Sequence, residues 1–329
     1  MANLRVGLIG LGMMGRHHAR AIREVEGLEL VALADAFGDP HGAAGQLPLC
    51  ASVDELLAHD LDVAVCAVPT GLHETVGLAL AGAGVHTLVE KPIADTVEAG
   101  HRLVEAFESA GLVGAVGHIE RFNPALQSLR SRLESGDLGD VYQIATRRQG
   151  PFPARIADVG VVKDLGTHDI DLTAWLAQSP FASVSAKTST RSGRAHEDMV
   201  TASCQLENGV ITSHLVNWLS PMKERLTVVT GEKGAFVADT LTADLTFYEN
   251  GTFTTDWEAV SNFRGVSEGN ITRLALTKRE PLKSELEAFR DAVLGVADNT
   301  VTMREGLNTL RVAEAIIESA RARVTLNLS

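Results

Sequence analysis

Five short apolar runs, each followed by a segment with helical periodicity, most constrain the fold of this chain. The runs lie between Leu4 and Gly117 and read LRVGLIG, LELVALAD, LDVAVCAV, GVHTLVE and GLVGAVG. Strands that are buried on both faces have such continuous Val, Leu, Ile and Ala, and strands that alternate with helices form parallel sheets. We therefore predict a doubly wound, α/β parallel sheet for residues 1–118.

The hydrophobic pattern changes after residue 118. Apolar and polar residues now alternate, as in strands with one buried face, in ASVSAKTST, MVTASCQL, VITSHLVNWL, RLTVVTG and LTFYE. Hairpin turns are expected at Glu207-Asn208-Gly209, Lys233-Gly234 and Glu249-Asn250-Gly251. Two amphipathic helices are expected near residues 282–294 and 304–322. We predict that residues 119–329 form an α+β domain with an open, mostly antiparallel sheet.

Composition argues against several classes of protein. The formal net charge is -13, so no broad basic surface is available to follow the phosphates of a nucleic acid. Residues 75–89 are uncharged but too short to span a bilayer, and MANLRVGLIG lacks the regions of a signal peptide. The 3 cysteines form no CxxC pair, which suits reduced thiols. We expect a cytoplasmic protein that binds neither nucleic acid nor membranes.

A glycine-rich turn follows the first apolar run. VGLIGLGMMGRHHARAI places Gly10, Gly12 and Gly15 in GxGxxG spacing between a strand and an amphipathic helix. The motif alone is weak because the chain has 30 glycines, but Asp35 ends the second strand where a ribose hydroxyl would be bound. A turn without a ligand would leave Asp35 unexplained. We predict a dinucleotide site in which backbone N–H groups at the helix start meet the pyrophosphate.

Other residues near this turn define the expected cofactor. Met13 and Met14 open the first helix and are expected to lie beside the dinucleotide. Asp35 is followed by Ala36 and Phe37, with no nearby Arg or Lys to neutralise a ribose 2'-phosphate. An acid without a base favours NAD over NADP.

Two later strand ends also lie at the carboxyl edge of the predicted sheet, where open parallel sheets bind ligands. The candidate cofactor-binding residues there are Pro69, Thr70 and His73 in AVPTGLHET, and Glu90 and Lys91 in LVEKPIAD. Because Lys91 precedes a proline, it favours an extended backbone from which its amine could project toward the cofactor. An ordinary surface lysine in a turn is the alternative.

An acidic stretch, DVGVVKDLGTHDID, surrounds one histidine. If a helix begins near Lys163, then Asp164, His168 and Asp171 share one face. A closed zinc site needs about four ligands, and no Cys or second His stands at ligand spacing, so we predict no metal. His168 has the chemistry of a proton acceptor for the hydroxyl of a carbinol. Lys91 has the fixed charge that would stabilise the alkoxide.

Together, GxGxxG, the strand-ending EKP and GVVKDLGTHDID resemble the Gfo/Idh/MocA family of NAD(P)-dependent oxidoreductases, and the resemblance extends to EPLKSELEAF near the C-terminus. It implies an NAD-binding Rossmann domain at 1–118 and a substrate-binding and oligomerisation domain at 119–329. It also implies that Lys91 and His168 are catalytic, with Asp164 binding the sugar or orienting His168.

Two further stretches, GHIERFNPAL and RRQGPFPARIADVGVVKDLGTHDID, are similar to the branch of that family that oxidises UDP-N-acetylglucosamine at its 3-position. The implied partner is a UDP-linked sugar. The candidate substrate-binding residues are Arg121, Asn123, Arg148, Arg155, Asp164 and His168. Arginines suit a diphosphate, although scattered surface ion pairs are the alternative for each of them.

Several alternatives remain open at this point. An inositol or hexose dehydrogenase would keep the chemistry and change the substrate, and a UDP-N-acetylglucosaminuronate would add a carboxylate. A non-catalytic NAD-binding regulator is an alternative of another class, and the cofactor could also be recycled while bound. The resemblance further implies a homodimer or homotetramer formed through the open sheet.

Overall fold

The computed structural model describes residues 3–153, 159–251 and 267–328, and the chain divides into two compact units. Unit 1 comprises residues 1–119 and 280–311, and unit 2 comprises residues 120–279 and 312–329. The first break falls one residue past the expected boundary. Residues 280–311, which we expected in the second domain, pack with the first instead.

The helices of the described residues are α1 (Met13–Glu24), α2 (Val53–Leu57), α3 (His73–Gly82), α4 (Val97–Ser109), α5 (Pro124–Glu134), α6 (Thr167–Ala177), α7 (Pro281–Val293) and α8 (Met303–Ala322). The strands are β1 (Leu4–Ile9), β2 (Leu28–Ala34), β3 (Leu49–Cys50), β4 (Val63–Cys66), β5 (His86–Glu90), β6 (Gly114–Gly117), β7 (Val141–Pro151), β8 (Phe181–Ser189), β9 (Met199–Leu206), β10 (Ile211–Asn217), β11 (Leu219–Gly231), β12 (Gly234–Asp239), β13 (Asp244–Gly251), β14 (Ser267–Leu274) and β15 (Leu326–Asn327). None of these helices has the length and apolar composition needed to cross a membrane.

Unit 1 contains the predicted doubly wound sheet, with six parallel strands in the order β3-β2-β1-β4-β5-β6. The five apolar runs are its long strands, and β4 is buried along its whole length. Strand β3 was not expected because two residues make too short a pattern to recognise. The strand order reverses between β1 and β4, which is where such sheets bind ligands.

The late segment of unit 1 packs by apolar contact. From α7, Leu282, Leu286 and Phe289 join the hydrophobic cluster that contains Leu8 and Ile22. The sequence pattern identifies the apolar face of this helix, but it does not identify the domain that covers that face. This is why the helix was assigned to the second domain.

Unit 2 contains a nine-stranded sheet in the order β14-β13-β12-β11-β7-β10-β9-β8-β15. Among the described strands of this sheet, only β7 and β10 pair in parallel, so the prediction of a mostly antiparallel sheet is confirmed. Helices α5 and α6 cover one face, where Leu126, Leu129 and Ile170 pack with Ile144 and Val229 of the strands.

Two of the three expected hairpin turns are present. Residues 207–210 join β9 to β10, with Gly209 at φ +87°, and residues 232–233 join β11 to β12. The turn expected at residues 249–251 is wrong, because these residues belong to β13 and pair with β14. The chain turns earlier, at residues 240–243, where Ala243 has φ +54°. The triplet Glu249-Asn250-Gly251 has the residue types of a hairpin turn, although it lies inside a strand.

Candidate active site

In unit 1, the three glycines of GxGxxG differ in what a side chain at each position would meet. A Cβ on Gly10, whose φ is +90°, would lie 2.5 Å from the backbone carbonyl of Ala67. A Cβ on Gly15 would collide with the carbonyl oxygen of Gly10. A Cβ on Gly12 would meet nothing within 4 Å. Two glycines therefore permit close backbone packing, and the third leaves open space in front of α1.

This open space suits an anionic group. Helix α1 begins at Met13, its cap residue Gly12 makes no side-chain capping hydrogen bond, and its first turn has no acidic residue. The first N–H groups of a helix lack acceptors within the helix and carry partial positive charge. The residues therefore fit the pyrophosphate of a dinucleotide, and Met14 lies on the same turn.

Asp35 is fixed beside this loop. Its Oδ2 accepts a hydrogen bond from the backbone N–H of Leu11 at 2.7 Å, and its Oδ1 accepts one from Phe37 at 2.8 Å. The side chain is only partly buried, so lone pairs remain for a ribose hydroxyl. The bond to Leu11 ties the acid at the end of β2 to the glycine turn.

The loops after β4 and β5 are joined by His73. This residue is 1 % exposed, and its Nδ1 faces the carbonyl oxygen of Pro92 at 2.9 Å while its Nε2 faces that of Val68 at 3.0 Å. Burial lowers the pKa of His73. Its position favours a role in holding the loops that contain Pro69 and Thr70, rather than the direct cofactor contact that we expected.

Glu90 ends β5 directly before Lys91. Its Oε1 accepts a hydrogen bond from Nε2 of His18 at 2.8 Å, and its Oε2 accepts one from the backbone N–H of Lys91 at 3.2 Å. Burial would raise the pKa of Glu90, but the hydrogen bond and charge of His18 and the charge of Lys91 hold it below its usual range. Glu90 is therefore an ionised support for the lysine-bearing loop.

In unit 2, a π-helical turn, Val162–Gly166, precedes α6. Asp164 lies in this turn and is buried, while His168 lies in the first turn of α6 and is partly exposed. The expected α-helical spacing from Lys163 therefore holds only from Thr167 onward. Turns of this wide type are rare and occur frequently at functional sites.

Two of the predicted substrate-binding arginines are buried in ion pairs. Arg121 makes two hydrogen bonds to the carboxylate of Asp171, at 2.8 and 2.6 Å. Arg148 donates from Nε to Asp169 and from a terminal nitrogen to Glu120, both at 2.8 Å. These four contacts pair both buried guanidinium groups with carboxylates inside the protein. They favour a framework role for both arginines instead of the expected contact with substrate phosphates.

The charges around Arg148 are mutually dependent. Burial works against the Arg148 guanidinium, but the carboxylates of Asp169 and Glu120 raise its pKa above its usual range. Burial also raises the pKa of Asp169, whereas the Arg148 charge holds the pKa of Glu120 down despite burial. The guanidinium of Arg148 therefore stays protonated at any pH at which the protein is handled.

Asn123 and Arg155 are two further residues that were predicted to contact the substrate. Asn123 caps α5, accepting a hydrogen bond from the N–H of Ala125 and donating one to the carbonyl of Thr240, both at 3.0 Å. This is a structural role. Arg155 lies outside the described residues. In the described parts of the chain, no group of three or more His, Cys, Asp or Glu residues is arranged to hold a metal ion.

Sequence reasoning missed Arg225 on β11. The residue pairs across the sheet with Arg148 of β7, and it alternates with the buried Thr227 and Val229. Its side chain therefore lies on the sheet face that α5 and α6 cover. A cation in the buried register of an alternating strand is the signal that would have identified it.

Comparisons with known proteins agree with this architecture. The model of an oxidoreductase family with an NAD-binding Rossmann fold, Gfo/Idh/MocA, matches residues 4–118, and that of the Gfo/Idh/MocA C-terminal domain matches residues 126–237. A UDP-N-acetylglucosamine 3-dehydrogenase from Acidithiobacillus ferrooxidans is 30 % identical over 296 residues, which are 89 % of this chain and 90 % of that protein. An inositol 2-dehydrogenase 2 from Saccharopolyspora erythraea is 32 % identical over 224 residues, which are 63 % of this chain and 65 % of that protein.

Solved structures give the same result. The UDP-N-acetylglucosamine 3-dehydrogenase GnnA from the same Acidithiobacillus species has a TM-score of 0.84 at 28 % identity, over 98 % of this chain and 99 % of that one. The WlbA dehydrogenase from Bordetella pertussis, in complex with NADH and UDP-GlcNAcA, has a TM-score of 0.83 at 26 % identity, over 100 % of this chain and 98 % of that one. The chain belongs to the Gfo/Idh/MocA family of oxidoreductases and has that family's NAD-binding Rossmann domain.

Proposed function

We propose that this protein is an NAD-dependent dehydrogenase of a nucleotide sugar, oxidising the 3-hydroxyl of UDP-N-acetylglucosamine. The observation that carries the proposal is likeness to a UDP-N-acetylglucosamine 3-dehydrogenase along 89 % of the chain. Two sequence motifs support the proposal. Lys91 is the lysine of EKP, and Asp164 and His168 are the acid and histidine of DxxxH.

The proposed roles follow from the chemistry of removing hydrogen from a carbinol. NAD, when bound, supplies the acceptor for the hydride. His168 accepts the hydroxyl proton, because an imidazole titrates near neutral pH. Lys91 stabilises negative charge on the reacting oxygen with its ammonium group. Asp164 orients His168 or holds a neighbouring sugar hydroxyl.

The preference for NAD over NADP is proposed from Asp35. Its carboxylate is held by the N–H groups of Leu11 and Phe37 at the end of β2, where the adenosine ribose binds in this fold. A 2'-phosphate would bring negative charge toward that carboxylate. No Arg or Lys occurs between residues 35 and 41 to offset it.

The substrate assignment does not rest on the arginine cluster that the sequence emphasised. Arg121 and Arg148 are occupied by carboxylates, and the exposed Arg147 faces Glu224 at 3.0 Å. The second candidate is inositol oxidation, favoured by the identity of 32 % to an inositol 2-dehydrogenase over 63 % of this chain. A uronate form of the nucleotide sugar is a third, because the WlbA structure contains UDP-GlcNAcA.

One assay separates these candidates. The purified protein is incubated with NAD or NADP and with UDP-N-acetylglucosamine, its uronate, UDP-glucose or myo-inositol, and reduced cofactor is followed by absorbance. Activity on UDP-N-acetylglucosamine with NAD is the expected result. Activity on myo-inositol and on no nucleotide sugar would overturn the substrate assignment. A cofactor that stays bound and is recycled would instead be detected as NAD or NADH released when the purified protein is denatured.

Self-association is proposed through the outer face of the nine-stranded sheet. Ile211, Tyr248 and Ile271 are among the exposed large apolar residues, and Ile211 alternates with the inward-facing Thr212 and His214. A sheet face with exposed apolar side chains is suited to a homodimer or homotetramer. Light scattering of the variant in which Ile211 and Ile271 are changed to Lys tests this, with dissociation as the expected result.

A further inference from the structure

Arg225 differs from the inward-facing Arg121 and Arg148 because no described residue accepts a hydrogen bond from its side chain. Its side chain lies on the covered face of the nine-stranded sheet, one strand away from Arg148. Among the described residues, its guanidinium makes no hydrogen bond or ion pair, and neighbouring groups act on it only through their charges. A guanidinium has five N–H donors and no acceptor of its own, so its donors are available for a ligand.

The two carboxylates nearest Arg148 each pair with it through one oxygen. Asp169 and Glu120 both accept hydrogen bonds from Arg148 at 2.8 Å. Burial and the charge of Arg148 lower the pKa of Arg225, and the charges of Glu120, Asp169 and Asp164 do not fully offset this effect. Among the described residues, these carboxylates act on Arg225 through their charges and accept no hydrogen bond from its guanidinium. An added anion would accept those bonds, as carboxylates do for Arg121 and Arg148.

The position of Arg225 relates it to the proposed chemistry. Asp164, whose charge acts on Arg225, belongs to the π-helical turn that precedes His168. A cation near this acid is placed to hold a charged substituent of the same molecule whose hydroxyl is oxidised. The planar fork of arginine matches the paired oxygens of a phosphate or carboxylate.

We propose that Arg225 binds the anionic group of the substrate, a phosphate or carboxylate attached to the sugar, and so selects charged sugars over neutral cyclitols. The proposal rests on the proposed function, because that function brings the substrate to Asp164. The two sources of this chemistry are the diphosphate of a UDP-sugar and the carboxylate of a uronate.

Matched variants test the role. Arg225→Gln removes the charge, Arg225→Lys keeps it without the fork, and Arg147→Gln is the control on the opposite face of the same sheet. Binding of UDP, UDP-N-acetylglucosamine, its uronate and myo-inositol is measured by calorimetry in the presence of NADH. We expect Arg225→Gln to weaken binding of the charged sugar at least tenfold, Arg225→Lys to weaken it less, and Arg147→Gln to change it less than twofold.

The pattern of losses identifies the anion. Weaker binding of UDP itself in Arg225→Gln assigns the contact to a phosphate, and a loss confined to the uronate assigns it to the carboxylate; both support the proposal. Equal binding of all charged ligands by wild type and a folded Arg225→Gln protein overturns it while leaving the proposed function intact. A wild-type protein that binds and oxidises no charged sugar overturns both.

A measurement on the wild-type protein covers the case in which Arg225→Gln does not fold. Phenylglyoxal modifies accessible arginines, and mass spectrometry reports the extent of modification at each one. Saturating UDP-N-acetylglucosamine or its uronate should protect the peptide containing Arg225 several-fold while leaving Arg147 unprotected. Equal modification of Arg225 with and without bound ligand contradicts the proposal.

Discussion

Nε2 of His18 donates a hydrogen bond to Oε1 of Glu90 at 2.8 Å, which joins α1 to the carboxyl end of β5 one residue before Lys91. The imidazole is fully buried, and the second oxygen of Glu90 accepts from the backbone N–H of Lys91. The helix that begins at the dinucleotide loop is thereby connected to the loop that bears the proposed catalytic lysine. His18 looks like an ordinary helix residue in the sequence.

We expect His18→Ala to destabilise unit 1 by about 2 kcal/mol, because it leaves the Glu90 carboxylate without its imidazole donor in a buried position. The matched control is His17→Ala on the same helix, where the side chain is partly exposed. Urea unfolding followed by far-ultraviolet circular dichroism measures the difference. Equal midpoints for the two variants would show that the buried hydrogen bond contributes nothing.

Glu285 on α7 is a second buried acid near this loop. It is 1 % exposed, and neither carboxyl oxygen has a hydrogen-bond partner within residues 3–153, 159–251 and 267–328. Burial, and then the charge of Glu90, raises the pKa of Glu285 well above its usual value. The folded protein therefore keeps Glu285 in its neutral form to a higher pH than the unfolded chain does.

Because the pKa of Glu285 is higher in the folded state than in the unfolded state, the free energy of unfolding is greatest below the unfolded pKa. It falls as the pH rises from the unfolded pKa toward the folded pKa. Glu285→Gln, which cannot ionise, should therefore gain stability relative to wild type as the pH rises from 5, by about 1.4 kcal/mol per unit. Urea midpoints at pH 5, 6.5 and 8 measure this. Glu287→Gln, two residues along the same helix, is the control, and a gain independent of pH would count against a neutral Glu285.

The sequence predicts the architecture better than the pairing of charges. Buried parallel strands appear as continuous apolar runs, and one-sided strands as alternation, so both sheets could be predicted. Arg148 is 21 residues from Asp169 and 28 from Glu120, and nothing local in the sequence identifies these acids as its partners. Only the folded register shows that Arg148 pairs with carboxylates, whereas no described residue accepts a hydrogen bond from the side chain of Arg225.

The glycine motif predicts two separable effects. Gly12→Ala should leave the melting temperature nearly unchanged, because its Cβ enters open space and its φ of -68° suits alanine. The same methyl group would occupy space in front of α1, so affinity for NADH should fall at least tenfold, about 1.4 kcal/mol. Gly15→Ala should lower the melting temperature, because its Cβ meets the backbone of Gly10. Thermal melts and NADH fluorescence titrations measure both effects, and unchanged NADH affinity in Gly12→Ala would remove this loop from the cofactor site.

Replacing His168 tests the proposed proton acceptor. His168→Ala should lower the turnover number roughly a hundredfold or more at saturating substrate, as expected when a general base is removed. Affinity for NADH should stay within about twofold, because the proposed contacts to the pyrophosphate and ribose come from the glycine loop and Asp35. His101→Ala, at an exposed position of α4, is the control. Wild-type turnover in the His168 variant would exclude the residue as the base.

The sequence identifies Asp164 and His168 as site candidates because their spacing recurs in a known family. It does not predict the backbone conformation that holds them. Asp164 lies in a π-helical turn, and no residue type in VVKDLG distinguishes such a turn from an α-helix. His73 shows the opposite case. Its place after a buried strand suggested a ligand contact, but its ring is enclosed between two carbonyl oxygens. Position in the chain indicates which edge of the sheet a residue approaches, and packing decides what it touches.

His214 should make the stability of unit 2 depend on pH. Its Nδ1 faces the hydroxyl of Thr146 at 2.8 Å and its Nε2 that of Thr212 at 3.0 Å, and burial lowers its pKa to about 4. The unfolded histidine titrates near pH 6.5. Between these two values the unfolded state binds a proton that the folded state does not, so stability is fully present above pH 6.5 and falls toward pH 4.

The shift corresponds to a loss on the order of 3 kcal/mol across that interval. His214→Gln, which keeps a donor and an acceptor for the two threonines, should unfold with a smaller difference in urea midpoint between pH 7.5 and 4.5 than wild type. Tryptophan fluorescence follows the transition, since Trp175 and Trp218 both belong to unit 2. His41→Gln, at an exposed position, should behave as wild type. If the His214 variant loses as much stability on acidification as wild type does, a buried group other than this imidazole controls the acid transition.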